Sequence, residues 1–125
     1  MYNRGVPKTS ARSFRDLSLW RRAMDLCVAV YRLAQSFPRE ETFGLAQQLR
    51  RAAVSVPSNI AEGYGRLSRE QYRHFLGIAQ GSNLELQTQL EIASRLGFAC
   101  QQEIEAAAGL SAEVGKILTV MLRKL

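Results

Sequence analysis

Apolar residues recur every three or four positions along four stretches of this chain, and no segment sustains a one-by-one alternation of apolar and polar residues. That period belongs to amphipathic helices, whereas a half-buried strand repeats every second residue. From Leu17 to Phe37, one stripe runs Trp20, Met24, Cys27, Tyr31, Ala34 and another runs Leu19, Ala23, Leu26, Val30, Leu33, Phe37. In "FPREETFG", Pro38 and the acidic pair Glu40 and Glu41 suit a helix start. The second helix then sets Leu45, Leu49, Ala52, Val56 and Ile60 on one face and stops at Gly63 and Gly65. A third starts at Ser68, with Gln71 placed to complete a capping box, and runs through Tyr72, Phe75, Leu76, Ala79, Leu86, Leu90 and Ala93 to Gly97. The fourth occupies about Gln101 to the end, with Ile104, Ala107, Val114, Leu118, Met121 and Leu125 along one side. Short connections between long helices predict an all-α, antiparallel up-and-down four-helix bundle over residues 16–125.

The first helix is apolar over well over half its circumference, more than the face of a little over 100° that a monomeric bundle buries. Its surplus stripe is expected to pack against another subunit. The expectation is therefore a homo-oligomer, with Leu19, Leu26, Val30 and Leu33 as candidate contact residues. At 125 residues the chain fits one domain. No run approaches the ~18 apolar residues of a membrane span, and "MYNRGVPKTSARSF" lacks a secretory apolar segment, so a cytoplasmic protein without a membrane partner is expected.

Pro57 sits inside the second helical pattern, where a proline removes a donor and costs about 3 kcal/mol in an ordinary helix. Ser58, Asn59 and Glu62 flank it, and Ser82 and Glu85 on the third helix bring further polar groups toward the bundle, so these five are expected to form a structural polar network. Arg50 or Arg51 is placed to neutralise an acid there, and Gly77 and Gly81, four apart, to allow close backbone approach.

Catalytic and metal signatures are lacking. The "GYGRLS" turn has the spacing of a phosphate loop only faintly and follows a helix, not a strand. His74, the lone histidine, has no ligand cluster around it, Cys27 and Cys100 form no paired motif, and no serine stands in a nucleophile arrangement. No enzyme, metal or cofactor is expected.

The charge is more informative. Lysine and arginine number 17 against 11 acidic residues, a net +6 with a pI near 9.9. Such an excess favours polyanion partners. Part of it lies in residues 1–15, where Arg4, Lys8, Arg12 and Arg15 stand without an acid beside Gly5 and Pro7, which reads as a flexible basic N-terminal arm. Within the bundle the candidate nucleic-acid contacts are Arg21, Arg22, Arg50, Arg51, Arg66, Arg69 and Arg73. No aromatic platform for reading bases is evident, so sequence specificity should be low.

The run "FP..E..GL..Q.RRA..S.P.NIAEG" from Phe37, the Leu17 and Trp20 pair, and the "GS.LEL" run from Gly81 closely resemble the bacterial four-helix-bundle family associated with intervening sequences of large-subunit ribosomal RNA genes. The likeness spans about Phe14 to Leu125, and the family is similar in fold to the accessory variability protein of diversity-generating retroelements, a basic bundle that works with reverse transcriptase and RNA. The resemblance implies a homopentameric, barrel-like ring. One departure is Asn83, where the family often has leucine after the Gly-Ser pair. Two functions follow as expectations: an oligomer that binds RNA or DNA through arginines, or a scaffold that docks a protein partner without touching nucleic acid.

Overall fold

The computed structural model describes residues 13–125. Four helices account for most of them, α1 (Ser18–Ala34), α2 (Leu45–Tyr64), α3 (Arg69–Leu96) and α4 (Gln101–Lys124), with short 3-10 turns at Phe14–Asp16 and Arg39–Glu41 and no strand among the described residues. The arm expected over residues 1–15 lies outside the described residues as far as residue 12, and Ser13 already caps the first turn by accepting from the Arg15 amide.

Each helix packs on two neighbours, in the cyclic order α1, α2, α3, α4, while the diagonal pairs do not meet. Cross-helix contacts fix the direction. Between α3 and α4, Arg73 pairs with Leu122, Gln80 with Gly115 and Asn83 with Ser111, so one helix descends as the other climbs. Gly63 against Tyr72 and Ser55 against Ser82 give the same antiparallel sense to α2 and α3.

The local signals explain the boundaries. The acidic pair after Pro38 forms the second 3-10 turn, and α2 starts only at Leu45, whose amide donates to the Glu41 carboxylate. Ser68 caps α3 by accepting from the Gln71 amide, and Gly97, at φ 69°, closes it in the left-handed conformation that glycine adopts without strain.

The core corrects the expectation for α1. Leu19, Leu26, Val30 and Leu33 are fully buried inside the subunit, together with Leu49, Ile60, Leu76, Leu86, Leu90 and Leu118, so they hold the bundle together and are unavailable to a neighbour. The other stripe is the surplus. Of its residues Ala34 is buried, Trp20 and Cys27 are partly covered and Met24 and Tyr31 remain exposed, with Val28, outside both stripes, exposed beside them.

Glycine roles also shift. A Cβ on Gly63 would sit 3.0 Å from Phe75 Cβ and 3.0 Å from Tyr72 Cδ1, so this glycine permits the close α2–α3 crossing. Gly77 and Gly81 are exposed with nothing within 4 Å of such an atom, contrary to the close approach expected there. The tight point between α3 and α4 is Gly115, where a Cβ would sit 3.1 Å from Asn83 Nδ2.

Candidate nucleic-acid interface

Pro57 is buried within a continuous α2. Beside it a polar network forms that shares Asn59 and Ser82 with the five residues expected and joins them through Ser55. Asn59 Nδ2 donates to the Ser55 carbonyl at 2.8 Å and to Ser55 Oγ at 3.0 Å, and Ser55 Oγ meets Ser82 Oγ at 2.7 Å. Ser58, Glu62 and Glu85 face solvent and take no part in it. Glu62 pairs with Arg66 instead, and Arg50 donates to the Thr42 carbonyl, not to an acid near Pro57. A second polar pair is fully buried: Asn83 Nδ2 donates to the Ser111 carbonyl at 3.0 Å, and Asn83 Oδ1 accepts from Ser111 Oγ at 2.7 Å. The position at which this chain departs from the leucine pattern is thus the hydrogen-bonded centre of the α3–α4 seam.

The seven candidate arginines separate into groups. Arg66, Arg69 and Arg73 gather where α2 hands over to α3, at the same end as the start of α1 and the finish of α4. Arg69 Nη2 donates to the Lys124 carbonyl at 3.0 Å, and Arg73 Nη1 donates to the Leu122 carbonyl. Those oxygens belong to the last turn of α4, whose carbonyls have no intrahelical donor, so the two guanidiniums cap a neighbouring helix. Arg66 lies over the Phe75 ring, 4.8 Å from its centroid, as well as against Glu62. Arg21 reaches the Asp16 carbonyl, and Arg22 pairs with Glu113 on α4 at 2.9 Å and with Asp25 at 3.6 Å. Arg50 and Arg51 lie toward the opposite half, along a groove between α1 and α2.

Charge is consequently one-sided. Within six residues of the helix ends at the Arg69 side, together with the adjoining 3-10 turn and the α2–α3 connection, stand Arg15, Arg21, Arg22, Arg66, Arg69, Arg73, Arg123 and Lys124 against Asp16, Glu62 and Glu70. On the same measure the other end carries Arg32, Arg39, Arg50 and Arg95 against Glu40, Glu41, Glu91, Glu103 and Glu105. Arg123 and Lys124 escape sequence reasoning because nothing local to α4 marks its last turn as the neighbour of α3. The expected arm, with Arg4, Lys8 and Arg12, precedes the chain's entry at the basic end.

Beneath the basic end lies an apolar base. Tyr64 and Tyr72 meet edge to face with centroids 6.4 Å apart, and burial, with the Tyr64 hydroxyl nearby, pushes the Tyr72 phenol up to about 12. Among the described residues no cluster of histidine, cysteine and carboxylate could hold a metal ion, and no helix is long and apolar enough to cross a membrane.

Residues 15–120 match the family described as 23S rRNA-intervening sequence protein. The chain belongs to that family. A solved structure from Bacteroides thetaiotaomicron, a protein of unknown function from the S23 ribosomal protein family, is 22% identical, covers 83% of this chain and 97% of its own, and superposes with a TM-score of 0.77. That likeness establishes the helical fold of the intervening-sequence protein. No curated protein matches the chain.

Proposed function

We propose that this intervening-sequence protein is a non-catalytic, cytoplasmic homo-oligomer that binds nucleic acid, RNA in preference to DNA, with low sequence specificity. The observation that carries the reading is the concentration of cations at one end of the bundle, opposite an end richer in carboxylates. A polyanion is drawn to such a surface by phosphate contacts and counterion release, without needing base-specific contacts. The family description, which names a ribosomal RNA sequence, makes RNA the first choice.

Self-association multiplies that surface. Met24 and Val28 are 37% and 44% exposed on α1, and Ile78, Leu84 and Ile92 are exposed on α3. Because α1 and α3 are diagonal in the bundle, these apolar residues lie on different sides. Contacts between unlike patches generate closed rings when the rotation permits, and the family resemblance makes a pentamer the favoured size. In a ring with parallel bundle axes, the basic ends form one continuous rim.

The test is binding of a labelled RNA by pure protein across a salt series, with the mass measured by light scattering. Affinity falls steeply with salt, with a slope of log K of about −0.7 per phosphate neutralised on a single strand, and the mass is that of a multimer. If the pure protein binds neither RNA nor DNA at low salt, the scaffold reading replaces this one. The exposed Phe43, 86% accessible at the opposite end, would then be the first docking residue to test.

A further inference from the structure

The groove between α1 and α2 brings an aromatic, an aliphatic and two cationic side chains together. Tyr31 and Val54 line it with 44% and 42% of their surface exposed, Gln47 and Ser58 are among its polar residues, and Arg50 and Arg51 stand on it. No carboxylate is among its lining residues. The side chains of Gln47, Arg51 and Ser58 make no hydrogen bond or ion pair with any described residue, and Arg50 uses Nη2 on the Thr42 carbonyl. An aromatic face, an aliphatic wall, unused amide and hydroxyl groups and two guanidiniums therefore converge on one open groove.

Each component meets a different part of a nucleotide. A planar base has a π-face that stacks on tyrosine whatever its identity, an unpaired base leaves edges for an amide or hydroxyl, and flanking phosphates suit arginine. A paired base offers no free face and cannot enter. We propose that this groove takes an unpaired base of a single strand, stacked on Tyr31 and packed by Val54, with the neighbouring phosphates held by Arg50 and Arg51. The inference rests on the nucleic-acid reading above and deepens it: the basic end supplies affinity for any polyanion, and the groove selects single strands over duplex. Ser58 continues along α2 toward the basic end, and Arg66, two residues beyond that helix, pairs with the carboxylate of Glu62 in its last turn.

The probes are a fluorescein-labelled oligouridine of about twelve nucleotides, within the range a single-strand site covers, and the same strand annealed to oligoadenosine. Expected is tighter binding of the single strand than of the duplex by wild-type protein. Tyr31→Ala lowers single-strand affinity about tenfold, leaves duplex affinity and the salt slope unchanged, and Tyr31→Trp restores the preference. Arg51→Gln weakens the single strand and lowers its salt slope. If wild type binds both probes and Tyr31→Ala weakens both equally or neither, the groove is not a base site, although the nucleic-acid reading stands. If Tyr31→Ala changes the mass in light scattering, the groove is a contact between copies and the proposal fails. Absence of binding to either probe removes both readings together.

Discussion

Asn83 has no solvent contact, and its side-chain amide donates one N–H to the Ser111 carbonyl and accepts from the Ser111 hydroxyl, one helix away. Removing one partner of such a pair strands the other in a site water does not reach, at a cost of about 1–3 kcal/mol. Asn83→Ala should therefore lower the stability measured by chemical unfolding by an amount in that range. Glu85→Ala, two residues along on the solvent face, should move it by less than about 0.5 kcal/mol. Equal effects of the two substitutions would show that the Ser111 bonds contribute nothing net. The same contrast explains why the network beside Pro57 was only partly readable. Asn59 and Ser82 do join through Ser55, but one residue of helix turns the side chain by about 100°, which carries Ser58 out of the seam to solvent. Its polarity alone cannot report that angle.

At the scale of the helix, periodicity determined the four elements and most of their ends, since capping by Ser68 and closure by Gly97 depend on residues close in sequence. It could not choose between the two stripes of α1. Both repeat at helical spacing, and the choice depends on where α2 and α4 lie, which is a property of the packed bundle. Leu19, Leu26, Val30 and Leu33 turn inward, leaving Met24 and Val28 outside. Charge substitutions separate core from contact. Leu26→Glu places a carboxylate in a dry core and should abolish the cooperative melt of a domain whose total stability is only about 5–15 kcal/mol. The milder Leu26→Ala should cost about 2–5 kcal/mol. Met24→Glu and Val28→Glu should keep a cooperative melt, lowered only by the lost stabilisation of assembly, and give a smaller mass in light scattering. An unchanged multimer mass in the Met24→Glu, Val28→Glu double variant would remove this face of α1 from the assembly.

Over the whole molecule, the arginine excess was plain from composition, but its polarity along the bundle was not, because Arg69 and Lys124 are separated by 55 residues of chain and meet only after folding. Their meeting gives the basic end two kinds of cation. Arg73 is tied to the Leu122 carbonyl and Arg69 to the Lys124 carbonyl, so each contributes to holding the last turn of α4. Arg123 and Lys124 are exposed, and no side-chain bond of theirs secures the fold among the described residues. Replacing Arg73 by glutamine should therefore do two things at once: lower stability by about 0.3–1 kcal/mol by removing a cation from the end of α4, and weaken nucleic-acid binding. Arg123→Gln with Lys124→Gln should weaken binding alone, flattening the slope of log K against log salt by about 0.7 for each single-strand phosphate that is no longer neutralised, with an unchanged melting temperature. Arg39→Gln, among the carboxylates of the far end, controls for net charge and should leave the slope where it was. If Arg39→Gln flattens the slope as much as either substitution at the basic end, binding follows total charge, not its placement, and the rim proposed here has no special part in it.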